Sequence, residues 1–358
     1  MEEDFFINKY TPKDLNSIEH NTKTAKHLLK LSKLKNIPHI ILYGPQHSGK
    51  KLFVNLFLQE KYGKSIFNVK SQTIDISNSN KSIFRYYYSK YHFFIMIKDY
   101  SVYDRLIIQT FIKDISKTKN ILCDYHIIVI DKAEKLNIDA QQSLLRTMEK
   151  HVVNCRFILL VNSEHDLIDP LKSRFVHLRI KKPTNTDLNN ILNNISNQEI
   201  NHSTKIFELC DKKISNVINF YELLCKRYNN TTNLEQIYYD HNLFAKNIKD
   251  LINMLFKEND LMFLKDANEL LNDILIHSTD PDGTMKRMFK EILCHKEIDE
   301  KTLLNIITIT DNSYANLTNH NKPIYHIMDY YVKLFEAIKI MFKDRGDRGY
   351  LGYQEYQE

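Results

Sequence analysis

Gly44-Pro45-Gln46-His47-Ser48-Gly49-Lys50-Lys51 has the form of a phosphate-binding loop, with Gly and Gly-Lys at the spacing such loops need. The chain holds only seven glycines, and two of them stand at these two places. The apolar run His39-Ile40-Ile41-Leu42-Tyr43 leads in as a buried strand, and a helical pattern from Leu52 to Tyr62 leads out. Strand, turn and helix together aim backbone N–H groups and a helix N-terminus at phosphate, and Lys50 adds a point charge. The eighth residue of the motif is ordinarily Ser or Thr, whose hydroxyl helps hold Mg²⁺. Here it is Lys51. The loop therefore predicts a nucleotide pocket, formed by residues 44 to 51, with doubtful means of cleaving what it binds.

Outward from the loop, residues 39–180 alternate strand and helix. Strands are expected at 39–43, 71–76, 126–131, 155–162 and 175–180, and helices at 21–35, 49–61, 101–118 and 138–150. Most of the strands are continuous apolar runs, which suits a parallel sheet covered on both faces. The tyrosine-rich stretch Ser82–Lys98, broken near Lys90, reads as an inserted hairpin. Pro183 and Thr184 mark a boundary, because proline ends a strand and threonine caps a helix. Residues 184–228 read as about three short helices, and 229–233 as a polar linker. Residues 241–343 are helical by period, with breaks at 280–283 and near 319–323, and 344–358 reads as a disordered tail. The expected domains are thus 1–182, 183–236 and 237–343.

Composition narrows the class. With 358 residues, 43% of them hydrophobic and 11% aromatic, the chain can build two or three cores. No apolar run reaches the roughly 18 residues of a membrane span, and the acidic Met1-Glu2-Glu3-Asp4 predicts no signal peptide. Five scattered cysteines without a C-x-x-C pair favour reduced thiols over disulfides or zinc. The net charge of +6 is uneven: residues 1–182 carry 30 Lys/Arg against 18 Asp/Glu, and residues 183–358 carry 20 against 26. A basic front and an acidic rear suggest that the front half meets a polyanion.

Further motifs follow in order. His126-Ile127-Ile128-Val129-Ile130-Asp131 is a buried strand ending in a carboxylate, the arrangement that puts an acid, and with it Mg²⁺, beside the phosphate loop. Hydrolysing enzymes of this kind carry a water-activating Glu next, where this chain has Lys132. The strand Phe157–Val161 ends in Asn162, an amide able to touch the outer phosphate. Asp169-Pro170-Leu171-Lys172-Ser173-Arg174-Phe175 is a helical turn before a strand, and Arg174 can serve as a finger onto a neighbouring subunit's nucleotide.

These motifs in this order resemble the AAA+ clamp-loader family, and within it the small subunits of replication factor C. Phe6-Ile7-Asn8-Lys9-Tyr10-Thr11-Pro12 is similar to the family's opening Lys-Tyr-Arg-Pro box, with Thr11 for arginine. Asp139-Ala140-Gln141-Gln142-Ser143-Leu144-Leu145-Arg146-Thr147-Met148-Glu149 looks like its Asp-Ala-Gln helix, and Ser173-Arg174-Phe175 stands for its Ser-Arg-Cys box. Gly-Lys-Lys in the loop, Asp104-Arg105-Leu106-Ile107-Ile108-Gln109 and Ile324-Tyr325-His326 are similar to the subunit numbered third in human and fifth in yeast naming.

The resemblance implies an AAA+ α/β domain, a small helical lid and an all-α collar. It implies ATP or ADP in the pocket, with Mg²⁺ in question. The implied partners are other clamp-loader subunits in a heteropentamer, a PCNA-type sliding clamp and primer–template DNA, in the nucleus and with no membrane. Arg105, Lys113 and Lys117 lie on the stretch that would track DNA phosphates without reading bases.

Lys51, Lys132, Thr11 and Asn216 (the last where a sensor arginine is expected, with Lys213 and Asn219 beside it) depart from the family together. Loss of a general base alone lowers rates about 10²- to 10⁴-fold. The resemblance therefore implies a hydrolytically impaired subunit that donates Arg174 in trans. An autonomous P-loop ATPase of the helicase-loader or branch-migration kind, or a subunit shared with a checkpoint clamp loader, is the alternative.

Overall fold

A computed structural model describes residues 5–75, 83–97, 108–118, 120, 123–196, 203–228, 233–257, 263–277, 281–295, 298–319 and 323–354. The chain forms two compact units, 1–232 and 233–358.

The first unit is built on seven strands: β1 (Ile40–Tyr43), β2 (Lys70–Asp75), β3 (Ile83–Tyr88), β4 (His92–Met96), β5 (His126–Asp131), β6 (Cys155–Val161) and β7 (Val176–Arg179). They lie in the order β2-β3-β4-β5-β6-β1-β7. From β4 to β7 every pairing is parallel, while β2 and β3 add an antiparallel edge.

Both faces of the central strands β1, β5 and β6 are buried, and the strand sequences show why. In β5, Ile128 and Ile130 join one core with Phe157 and Leu159, whereas Ile127 and Val129 join the other with Ile158 and Leu160. Successive side chains point to opposite faces, so a strand covered twice is apolar at every position. Helix α1 (Thr22–Ser32) and helix α2 (Lys50–Tyr62) supply the second core through Ala25, Leu28, Phe53, Val54 and Phe57. Helix α3 (Ile138–Lys150) supplies the first through Ala140, Leu144 and Met148. Each Val, Leu, Phe or Met among them, fully buried, contributes about 1.5–3 kcal/mol.

Three readings of the sequence are corrected. The stretch expected at 71–76 as one of the parallel strands is β2, an antiparallel edge strand. The tyrosine-rich stretch is the expected hairpin, since β3 and β4 pair antiparallel across a break at 89–91, but it is not an insertion, because β4 also hydrogen-bonds in parallel to β5 and so belongs to the main sheet. Its segment His92-Phe93-Phe94-Ile95-Met96 is apolar enough for a covered strand, which the reading as an insertion overlooks. Of the helix expected over 101–118, the described part is a π-helical segment, Ile108–Ile112, running into the α-helix Lys113–Lys117.

Three helices complete the unit: α4 (Asn185–Ser196), α5 (Ser203–Leu209) and α6 (Ile214–Arg227). The α4 start is capped reciprocally. The Asp187 N–H donates to Thr184 Oγ1 at 3.2 Å, and the Thr184 N–H donates to Asp187 Oδ2 at 2.9 Å.

The second unit is all helical, from α7 (Leu234–His241) through α8 (Leu243–Lys257), α9 (Phe263–His277), α10 (Pro281–Leu293) and α11 (Glu300–Asn319) to α12 (Pro323–Gln354). Its own core joins Leu251, Leu271, Met288, Ile306, Tyr330 and Leu334. Buried tyrosines there are satisfied, since the Tyr331 hydroxyl donates to the Leu251 carbonyl at 3.0 Å. Helix α12 continues to Gln354, through most of the segment expected to be a disordered tail. Adding a residue to an existing helix needs no new nucleus, so composition alone underestimates such an extension. No helix among the described residues is long and apolar enough to cross a membrane.

Candidate nucleotide-binding site

The site forms because β1, β5 and β6 end together. Tyr43 stands opposite Val161, and Asp131 stands opposite Leu160. The residues that follow or close these strands, Gly44, Asp131 and Asn162, therefore meet at the carboxyl edge of the sheet, where open α/β folds bind ligands.

Gly44 is required by close approach. A Cβ there would lie 2.0 Å from the Ile180 carbonyl oxygen, and its φ is +159°. Gly49 begins α2 with φ +89°, in the left-handed region. Helix α2 has no side-chain cap and no acidic residue in its first turn. The N–H groups there are thus left for an anion, which is the observation that fits a phosphate to this loop. Pro45, Gln46 and His47 are exposed, while Ser48 is buried with its hydroxyl unpartnered.

Lys50 closes over the loop. Its ammonium donates to the carbonyls of Gly44 at 2.6 Å and Pro45 at 2.9 Å, and to Asn162 Oδ1 at 2.9 Å. Burial lowers its pKa to about 8, against the pull of Glu134 and Asp131. Asn162 in turn donates from Nδ2 to Glu134 Oε1 at 2.6 Å. Burial raises the Glu134 carboxyl above its ordinary range.

Lys51 takes the last carboxylate. Its Nζ lies 2.9 Å from Asp131 Oδ2, off the line of an aligned hydrogen bond, and 5.5 Å from the centre of the Phe94 ring. The lysine side chain is 52% exposed and the aspartate only 7%. At an effective dielectric of 20, an ammonium about 4 Å from a divalent ion opposes it by roughly 8 kcal/mol before screening. The residues present do not fit Mg²⁺ at Asp131.

Glu134 was not among the residues the sequence singled out. The position after Asp131 is Lys132, which adopts a left-handed conformation at φ +57° before a short turn, Ala133–Lys135. That turn carries the carboxylate two residues later into the site. The signal in the sequence was an acid close behind the strand, but its direction depends on the turn.

The remaining residues lie elsewhere. Arg174 follows the short helix Asp169–Lys172 and donates to Glu149 Oε1 at 2.5 Å and to the Pro170 carbonyl at 2.7 Å. Lys113 and Lys117 are exposed, and Lys117 pairs with Asp114 at 2.8 Å. Arg105 lies outside the described residues. Thr11 donates its hydroxyl to the Ile7 carbonyl. At the start of α6, Lys213 and Asn216 are half-buried and Asn219 is exposed.

Known proteins are similar to this chain along much of its length. The family described as DNA polymerase III, delta subunit, matches residues 20–184. A probable replication factor C subunit 3 of Dictyostelium discoideum is 28% identical over 93% of this chain and 98% of its own. Replication factor C subunit 5 of Schizosaccharomyces pombe is 27% identical over 94% and 98%, and human replication factor C subunit 3 is 25% identical over 95% and 97%. Among solved structures, a RuvB variant of Thermotoga maritima aligns over 80% of this chain and 90% of its own, at 14% identity and a TM-score of 0.47. The similarity runs along nearly the whole of both chains, on an α/β domain followed by an all-helical unit, and what this chain resembles there is replication factor C subunits 3 and 5.

Proposed function

We propose that this chain is a positioning subunit of a replication factor C-like clamp loader. It binds ATP or ADP through residues 44–51, hydrolyses it poorly, and donates Arg174 to a neighbour's nucleotide. The assembly joins it to other clamp-loader subunits and loads a PCNA-type sliding clamp onto primer–template DNA in the nucleus. Lys113 and Lys117 contribute to a basic surface facing DNA phosphates, and Arg105, outside the described residues, is assigned to the same DNA-binding role from the sequence alone.

The observation that carries this reading is the Lys51–Asp131 ion pair at 2.9 Å. It puts an ammonium where hydrolysing relatives of this fold need a hydroxyl and a free carboxylate. Lys132 stands where the water-activating carboxylate belongs. The chain's own residues can still bind and orient phosphate: α2 presents its N–H groups, Lys50 its charge, and Asn162 an amide beside it.

The test has two arms. The chain should co-purify in a complex of defined mass with clamp-loader partners, and alone it should bind adenine nucleotide without steady turnover. Lys51→Thr combined with Lys132→Glu should bring back some hydrolysis. Steady ATP turnover by the unaltered chain overturns the impaired-subunit reading.

One observation favours a second reading, an autonomous ATPase. Glu134, held by Asn162 at 2.6 Å, is a carboxylate inside the site that could orient water in place of the residue at 132. In that case the isolated chain turns over ATP and Glu134→Gln abolishes it.

A further inference from the structure

We propose that this chain binds adenine nucleotide without a divalent cation, with the Lys51 ammonium standing in for the metal on Asp131. The inference rests on the nucleotide-binding reading above and deepens it.

In phosphate-loop sites a metal does two jobs. It neutralises phosphate charge, and it ties the phosphates to the carboxylate that ends the second strand. Here both jobs have a tethered agent. Lys51 is the second residue of α2, so its backbone lies in the turn that faces the phosphates, and its side chain reaches back to Asp131 at 2.9 Å. The aspartate is nearly buried while the lysine is half exposed, so the ammonium keeps donor capacity on the open side of the pair. The Phe94 ring, 5.5 Å away, adds a face that favours a cation at this spot.

Charge balance points the same way. Two ammonium groups, Lys50 and Lys51, stand among two carboxylates, Asp131 and Glu134. Their sum is zero before any ligand arrives. A polyphosphate entering this setting finds cations already in place, whereas a divalent ion would have to displace Lys51 from its only carboxylate partner among the described contacts. A tethered cation also needs no loss of free translational motion when nucleotide binds.

Fluorescence titration of the full chain with ADP carrying a methylanthraniloyl group tests this, once with Mg²⁺ and once with EDTA. The two affinities should agree within about twofold, whereas a metal-bridged site should lose about tenfold or more in EDTA. With Mn²⁺ replacing Mg²⁺, paramagnetic resonance of the ADP-loaded chain should show free ion rather than protein-bound ion.

Lys51→Thr frees Asp131 and should make binding at least about tenfold tighter with Mg²⁺ than with EDTA, while Lys51→Arg should remain indifferent to the metal. A loss in EDTA by the unaltered chain overturns the inference and leaves nucleotide binding standing. Absence of binding under both conditions overturns both. Bound Mn²⁺ in the unaltered chain overturns the inference even if Lys51→Thr fails to fold.

Discussion

The Arg174 guanidinium is tied to the last turn of α3, donating through Nη2 to Glu149 Oε1 at 2.5 Å while Nη1 reaches the Pro170 carbonyl at 2.7 Å. The two side chains are 42% and 49% exposed. A surface pair of this kind contributes about 0–1 kcal/mol, so Glu149 can aim the guanidinium without locking it. On the proposed finger role, a neighbour's phosphate would draw Arg174 away from Glu149 at a cost of about 0–1 kcal/mol to this chain.

Arg174→Ala should leave folding and nucleotide binding by this chain unchanged, because the pair it removes lies at the surface. In the assembled complex it should lower ATP hydrolysis, by up to about 10³-fold at the one site it serves. Arg174→Lys should rescue little, since an ammonium cannot reproduce the planar fork. Glu149→Gln should shift stability by less than about 1 kcal/mol. Equal ATPase and clamp-loading rates for the alanine complex and the original would reduce Arg174 to a surface residue.

Gly44→Ala should destabilise the first unit by about 3 kcal/mol, because the added methyl meets the backbone of Ile180 at 2.0 Å and neither can yield without moving a strand. Gly63→Ala is the control. Its φ is +80° but nothing lies within 4 Å of the added carbon, so only backbone strain of about 1–2 kcal/mol applies. Urea unfolding of both variants checks the order, and a milder effect at Gly44 than at Gly63 would contradict the loop geometry.

Acid should destabilise the first unit through His39 and His92. Burial lowers both to about 4 from an ordinary 6.5. His39 must also stay neutral to accept the Phe157 N–H at Nδ1, 3.0 Å away. Between pH 6.5 and about 4 the unfolded chain holds these protons and the folded chain does not. Unfolding there takes up about two protons from this pair, and the stability present above pH 6.5 is lost as pH falls. His92→Gln should reduce the pH slope of the urea midpoint by about one proton. An unchanged slope would show that His92 is not held neutral.

Residues 233–358 should fold alone, since α7–α12 close a core that includes Tyr330, Tyr331 and Leu334, all essentially inaccessible to solvent. The expected result is a helical circular dichroism spectrum with one cooperative thermal transition, and assembly with clamp-loader partners in its absence of the first unit. A non-cooperative melt would mean that this unit depends on the rest of the chain.

Much of the site could be read along the chain because its parts are local. A glycine-bounded turn between an apolar strand and a helix specifies its own geometry, and apolar runs ending in Asp131 and Asn162 identify the strands that carry them. The substitutions Lys51 and Lys132 were equally visible, since a motif read in one dimension shows at once which residue breaks it. Partnership was not visible. Lys51 reaches Asp131 across 80 positions, Lys50 reaches Asn162 across 112, and Glu134 enters the site through a left-handed Lys132. β4 joins the parallel sheet beside β5 rather than standing apart as an insertion. Periodicity encodes which face of an element is buried, whereas neighbours are chosen by strand order, register and the need of each buried charge for a counter-charge. Those are properties of the assembled sheet, and they set Lys51 of the phosphate loop against the carboxylate that ends β5.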